Sequence, residues 1–126
     1  MAYSDTIKYV VGDTRPLINI TVKDSNLADA GKTLNSNDSS TWAPINISTA
    51  DSIKMHIRKV GATSITTLTG QMVSSGTNGE AKFTPTITTF TSSGIYEGEI
   101  ELLYSAGNEV QTVYDLIKFN VRDDFN

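Results

Sequence analysis

The clearest pattern in the sequence runs from Asp51 to Lys59 and reads DSIKMHIRK. Three apolar side chains alternate here with three basic ones, and this period of two is that of a β-strand with one side buried. The apolar side consists of Ile53, Met55 and Ile57. The outward side, called the basic row below, consists of Lys54, His56 and Arg58. The segment therefore predicts a strand that lies on a hydrophobic core and presents cations to its surroundings.

A second long strand, predicted from Ile95 to Tyr104, carries the opposite charge on its outward side. We call its three carboxylates the acidic row: Glu97, Glu99 and Glu101. Like charges at two-residue spacing repel unless opposite charges lie beside them, and neighbouring strands are only about 5 Å apart. Three arrangements fit the sequence. The rows are independent solvated surfaces, they pair across adjacent strands of one sheet, or they meet between subunits.

The remaining apolar segments are short and are separated by turn residues. Strands are predicted at Thr6–Val11, Pro16–Lys23, Ile45–Ile47, Ser64–Leu68, Ala81–Thr84 and Val110–Val121. Asn78-Gly79 is the strongest tight-turn signal among them. About seven to nine short strands with turns at this spacing predict an all-β fold, an immunoglobulin-like antiparallel β-sandwich with little or no helix. A small closed barrel is the alternative. The expected core is Ile18, Ile20, Val22, Ile53, Met55, Ile57, Tyr96, Ile100, Leu102, Ile117 and Phe119.

The stretch from about 24 to 44 is polar and lacks a period. We expect a long surface loop, with one helical turn over Asn26–Ala30 and with Trp42 exposed as a candidate protein-contact residue. Loops of this length are usually functional or mobile. Four oxygen-bearing side chains in it could hold a hard cation, although a solvated loop is the preferred interpretation: Asp29, Asn35, Asn37 and Asp38.

Length and composition limit the remaining classes. The 126 residues favour a single domain spanning 1–126. The net charge of −4 argues against nucleic acid as a partner, and no apolar run approaches the roughly 20 residues that cross a membrane. The chain has 17 Thr and 13 Ser, which suit the outward sides and turns of a sandwich.

The search for chemistry gives no candidate active site. His56 is the one histidine, and a histidine between two cations on an outward strand side is expected to be a surface residue. With no second histidine and no nucleophile motif, a catalytic triad cannot be assembled. There are no cysteines for thiolate metal sites. We therefore expect no catalytic residue, no cofactor and no metal.

Five segments, in this order and spacing, resemble the N-terminal domain of BppU-type upper baseplate proteins of tailed phages and related immunoglobulin-like virion modules. The segments are Gly12–Pro16, Ile53–Lys59, Asn78–Phe83, Gly94–Ile100 and Val110–Val113. The resemblance implies a non-enzymatic β-sandwich in the virion, assembled in the bacterial host cytoplasm, with other virion proteins as partners in a homo- or hetero-oligomer. The 24–44 loop is longer than the turn that such domains usually have.

Three functions remain open at this point. The first is a structural adaptor in a phage baseplate or tail, and the second is a capsid decoration protein. The third is a carbohydrate-binding module, which needs Trp42, Tyr3 and Tyr104 to converge in a cleft. For the adaptor we expect contacts through six charged residues, Trp42, the long loop and the N-terminal residues Met1–Lys8. The six are the basic and acidic rows: Lys54, His56, Arg58, Glu97, Glu99 and Glu101.

Overall fold

The computed structural model describes residues 3–125, which form ten β-strands and two short 3-10 turns, with no α-helix. In chain order the strands are β1 (Tyr3–Val10), β2 (Ile18–Thr21), β3 (Lys23–Ala28), β4 (Trp42–Pro44), β5 (Ser52–Lys59), β6 (Ile65–Met72), β7 (Glu80–Phe83), β8 (Gly94–Tyr104), β9 (Glu109–Thr112) and β10 (Leu116–Arg122). The 3-10 turns are Ser39–Thr41 and Ser105–Gly107. The prediction of an all-β, sandwich-like fold is confirmed.

One continuous path of strands wraps around the core in the order β1-β10-β8-β5-β6-β7-β2, with β9 beside the second half of β8. The long strand β6 belongs to both layers, because Ile65–Thr69 pair with β5 while Gly70–Met72 pair with β7. Gly70 stands at this changeover, and a Cβ there would lie 2.5 Å from the ring of Phe83. A side chain at this point would therefore separate β6 from β7. The two ends of the path, β1 and β2, do not pair with each other among the described residues, so the barrel alternative is wrong.

Two features of the sheet differ from the sequence prediction. Strand β1 pairs with β10 in parallel, whereas the other pairings of the described strands are antiparallel. The predicted strand Val110–Val121 is interrupted between Thr112 and Leu116, which gives β9 and β10. The predicted strand Ile45–Ile47 is not formed, whereas β3 and β4 form where a loop was expected, so the described residues contain ten strands.

The core lies between the inward sides of the two layers and includes each of the eleven residues predicted for it. Four aromatic rings meet in it, with Phe90 at their centre. The ring centroid of Phe90 lies 5.2 Å from that of Tyr9, 5.1 Å from that of Tyr96 and 5.2 Å from that of Phe119. Phe90 belongs to the Thr-rich connection between β7 and β8, which therefore packs inward as part of the core.

The segment from 24 to 44 is not a structureless loop. Strand β3 runs to Ala28, which excludes the helical turn expected over Asn26–Ala30, and it pairs with β4. The side chain of Asp38 caps the turn Ser39–Thr41 by accepting a hydrogen bond from the backbone of Ser40 at 3.0 Å. We call this unit, residues 23–44, the β3–β4 excursion. In the described part of the chain, no helix has the length and hydrophobicity that a membrane crossing requires.

Candidate protein-interaction face

The basic row and the acidic row lie side by side on one sheet. Strands β5 and β8 are antiparallel neighbours, and their register places the rows directly opposite each other: Lys54 with Glu101, His56 with Glu99, and Arg58 with Glu97. The second of the three sequence-based arrangements, pairing within one sheet, is therefore the one observed. We call the surface formed by the two rows, with Ile65 on one side and Tyr114 and Leu116 on the other, the charged face.

The alternation of both strands fixes this geometry. On β5 the side chains of Ile53, Met55 and Ile57 are buried, so the residues between them must point outward. On β8 the inward position between Tyr96 and Ile100 is Gly98. A Cβ at Gly98 would lie 3.1 Å from the Phe119 ring and 3.2 Å from the sulfur of Met55. The glycine allows β8 to lie close to the core with its carboxylates facing out.

His56 makes the central contacts between the rows. Its Nε2 lies 3.5 Å from a carboxylate oxygen of Glu101, diagonally across the strand pair. Its Nδ1 lies 2.8 Å from the hydroxyl of Thr67 on β6. Among the described residues of this face, the contact between His56 and Glu101 is the one approach within 4.0 Å between a basic and an acidic side chain. The side chains of Lys54, Arg58 and Glu99 thus remain available to a binding partner.

Tyr3 joins the start of β1 to the acidic row. Its hydroxyl donates a hydrogen bond of 2.8 Å to Glu97, and the ammonium group of Lys118 lies 5.7 Å from the centre of its ring. The hydrogen bond to Glu97 raises the pKa of Tyr3 above its usual value, and burial and the charge of Glu97 act in the same direction. The contact therefore needs the protonated phenol.

Replacing Tyr3 with phenylalanine is expected to lower the free energy of unfolding by about 0.5 to 1 kcal/mol at pH 8, because one partly exposed hydrogen bond is lost. The pKa of Tyr3 is higher in the folded than in the unfolded chain, so the stabilisation is complete below the unfolded value. It is lost as the pH rises through the folded value. The difference between the two proteins should therefore begin to fall near the ordinary tyrosine pKa of about 10 and should vanish once the pH exceeds the raised pKa of the folded chain. Urea unfolding from pH 8 to 11 measures it.

Tyr114→Phe is the matched control, because that side chain is 74% exposed. It should leave the stability unchanged at each pH. A constant difference between wild type and Tyr3→Phe up to pH 11 would contradict the role of the phenol proton.

Apolar side chains flank the two rows on both sides. Ile65 lies on β6 directly opposite Arg58 and is 59% exposed. On the far side of β8, Tyr114 and Leu116 lie where β9 gives way to β10. Ile65, Tyr114 and Leu116 surround one surface depression of about 440 Å³, which members of both charged rows also line. The sequence did not identify Ile65 or Tyr114 as site residues. The sequence feature that could have identified them is an apolar side chain at an outward position of a predicted strand.

The structure brings six of the seven predicted contact residues together and separates the seventh. Trp42 is 1% exposed, and its indole Nε1 donates a hydrogen bond of 2.9 Å to the carbonyl of Asn35. The expectation that Trp42 is exposed is therefore wrong, because the excursion folds over the indole. Its ring is not available as a platform for a sugar or for a partner protein.

The N-terminal residues and the 24–44 segment, which were also expected to make contacts, are part of the folded structure. Residues Tyr3–Lys8 are not a free arm, since they belong to strand β1 and pair with β10; Met1 and Ala2 lie outside the described residues. The oxygen-rich side chains of the excursion bond to its own backbone: Asp29 accepts from Ala30, Asn35 from Asn37, and Asp38 from Ser40. The hydroxyl and the amide of Ser40 also lower the pKa of Asp38. These groups stabilise turns. In residues 3–125, no group of three or more acidic, histidine or cysteine side chains is placed so that it could hold a metal ion.

Comparison with known proteins gives little further information. No family model matches the chain, and no curated protein matches it. Among solved structures, a family 123 glycoside hydrolase from Clostridium perfringens, studied for glycolipid glycan hydrolysis, is similar at 16% identity with a TM-score of 0.31. The match covers 95% of this chain and 23% of the hydrolase chain. A similarity this low supports neither a shared fold nor a shared activity.

Proposed function

We propose that this chain is a non-enzymatic structural module of a tailed-phage particle. Its role is that of a β-sandwich adaptor in the baseplate or tail that acts through protein–protein contacts. The observation that carries the proposal is the charged face: two opposite rows of charge on adjacent strands of one sheet, with unpaired members in each row and the exposed side chains of Ile65 and Tyr114 beside them. Charge patterns of this kind determine which partner binds and in which register, more than they determine affinity.

The segments on which the family resemblance depends also support the proposal. Three of the five cover most of β5, the first part of β8 and most of β9, and β8 pairs with both β5 and β9 in the sheet that carries the charged face. A fourth, Asn78–Phe83, includes β7. The resemblance therefore concerns mainly the sheet that presents the contact surface.

The experiment that tests this function is a copy-number measurement on purified phage particles by mass spectrometry with isotope-labelled peptides. An adaptor in the baseplate or tail predicts about six to eighteen copies per particle, because such assemblies are closed and symmetric. Hundreds of copies would instead indicate capsid decoration. Absence of the chain from particles, when it is abundant in the infected cell, would overturn a virion role.

Two double variants test whether incorporation into particles depends on the charged face. Lys54→Glu/Arg58→Glu reverses two charges of the basic row and should reduce incorporation into particles. Arg15→Glu/Lys82→Glu makes the same change in net charge at other sites. Arg15 lies in the turn before β2, and Lys82 points outward from β7, where Ala81 and Phe83 point inward. Equal incorporation of both variants would show that the charged face is not the contact surface.

A further inference from the structure

We propose that the charged face binds a second copy of this chain, in a symmetric dimer with a two-fold axis parallel to β5 and β8. This inference depends on the proposed function, because it names the partner of the same face. The occupant follows from charge complementarity, and the symmetry follows from the register of the two strands.

Several charges of the face are unsatisfied within one copy. His56 contacts Glu101 at 3.5 Å, and Glu97 accepts a hydrogen bond from Tyr3. Arg58 and Glu99 are exposed and Lys54 is half-buried, and none of the three makes an ion pair within 4.0 Å in the described part of the chain. Each row thus keeps at least one charge that can pair with a partner.

The register of β5 and β8 determines how a second copy can lie over this face. A two-fold axis parallel to the strands and between them exchanges the β5 side with the β8 side. The acidic row of one copy then lies over the basic row of the other. This rotation does not change the position of a residue along the strand direction. Arg58 of one copy therefore lies over Glu97 of the second copy, and Lys54 lies over Glu101 of the second copy. A two-fold axis across the strands would place each row over its own copy, like charge on like charge, which is unfavourable.

The edges of the face come into contact in the same arrangement. The rotation carries the β6 edge of one copy onto the edge of the other that is formed by β9 and β10. Ile65 lies level with Arg58 and Glu97, so it comes over Lys118 of the second copy, the β10 residue opposite Glu97, and Leu116 lies two residues further along that strand. Ile65 can then pack against the aliphatic stem of Lys118 and against Leu116, and the reverse contact forms by symmetry, as a two-fold interface requires.

The contact is small. About five strands at 4.8 Å spacing, over about five residues at 3.3 Å each, cover on the order of 400 Å² of each copy, or about 800 Å² in total. This is below the roughly 1,200 Å² that stable specific interfaces bury and is in the range of weak, transient contacts. We therefore expect a weak dimer that forms at high protein concentration and dissociates in salt, because surface charges are screened.

Sedimentation equilibrium of the purified chain tests the proposal. At low ionic strength the average mass should rise from the monomer value of 13.6 kDa toward twice that value as the concentration increases from about 10 µM to 1 mM. At about 0.5 M salt it should return to that of the monomer. A folded chain that stays monomeric over the whole range at low salt would overturn the proposal.

Charge-reversal variants test the geometry. Lys54→Glu/Arg58→Glu makes both rows acidic, and Glu99→Lys/Glu101→Lys makes the face mostly basic, so each variant alone should be monomeric. An equimolar mixture should form a heterodimer, because the acidic face of one variant then lies over the basic face of the other. Arg15→Glu/Lys82→Glu, which has the same net charge as the first variant, should dimerise like the parent. Circular dichroism shows that each variant is folded.

Two results would contradict this geometry. One is a mixture that associates no more than its separate components, and the other is a control that becomes monomeric. The outcome is independent of the proposed function, because it is measured on the isolated chain. A monomeric chain found in particles would overturn the dimer alone. A dimer absent from particles would overturn the virion role alone.

Discussion

Replacing Phe90 with alanine is expected to lower the free energy of unfolding by about 3 to 5 kcal/mol, the usual cost of removing a buried aromatic ring. Phe90 is 1% exposed and is in contact with the rings of Tyr9, Tyr96 and Phe119. These three rings belong to β1, β8 and β10, so the substitution leaves a cavity where three strands meet. Small domains have a total stability of only about 5 to 15 kcal/mol, and the loss is therefore a large part of it.

The segment around Phe90 explains why the cavity should not close easily. Thr89 is 4% exposed, and its hydroxyl accepts a hydrogen bond of 2.9 Å from the backbone of Thr86. The hydroxyl of Tyr96 donates to the carbonyl of Ser92 at 2.8 Å. These bonds hold the connection on both sides of Phe90, so its neighbours have little freedom to move into the empty space.

Ile87→Ala is the matched control, because it lies three residues earlier in the same connection and its side chain is 69% exposed. We expect it to change the free energy of unfolding by less than about 0.5 kcal/mol. Urea unfolding followed by circular dichroism measures both variants. A loss of less than about 1 kcal/mol for Phe90→Ala would contradict the central position of this ring.

The buried positions on the strands were predictable because alternation is a local property. On β5, β8 and β10 each second residue is apolar, and this pattern fixes which side faces the core before any partner is known. The same pattern identified both charged rows. It could not determine that β5 and β8 are neighbours, since a period of two specifies the side of a strand and carries no information on pairing. That choice depends on contacts between residues about 45 positions apart, such as His56 with Glu101.

The buried aromatic residues that were not predicted lie in segments where apolar and polar residues do not alternate. Phe90 follows a run of threonines, and Trp42 follows a run of serine, asparagine and aspartate, so local composition predicts exposed loops for both. Each is buried because a large aromatic side chain gains more from burial than its polar neighbours lose. The parallel pairing of β1 with β10 was missed for a related reason. It joins the two ends of the chain, and only the complete fold brings them together.

Replacing Trp42 with alanine is expected to open the β3–β4 excursion while the main sheet stays folded. Trp42 is buried, yet it does not belong to the core cluster that contains Phe90 and the inward sides of the two layers. A local cluster under a long connection can unfold separately from the domain. Loss of a buried tryptophan costs about 3 to 5 kcal/mol, so amide exchange in the excursion should become at least a hundred-fold faster.

Hydrogen exchange followed by mass spectrometry locates the effect. The amides of Asp29 and Thr41, which donate to the carbonyls of Thr41 and Asp38 at 2.8 and 3.1 Å, should lose protection. Amides of β5 and β8 should keep theirs. Trp42→Phe keeps a ring but loses the 2.9 Å bond to Asn35, and it should accelerate the same amides by about five- to ten-fold, as expected for one hydrogen bond.

Leu34→Ala is the control within the excursion, because its side chain is 41% exposed and it should leave exchange nearly unchanged. Equal loss of protection in β5, β8 and the excursion after Trp42→Ala would show that the excursion is part of the cooperative core. Such a result would contradict the separation of Trp42 from that core. It would also mean that the polar residues around Trp42 are held by the sandwich itself, and then the length of this connection would add to the stability of the domain.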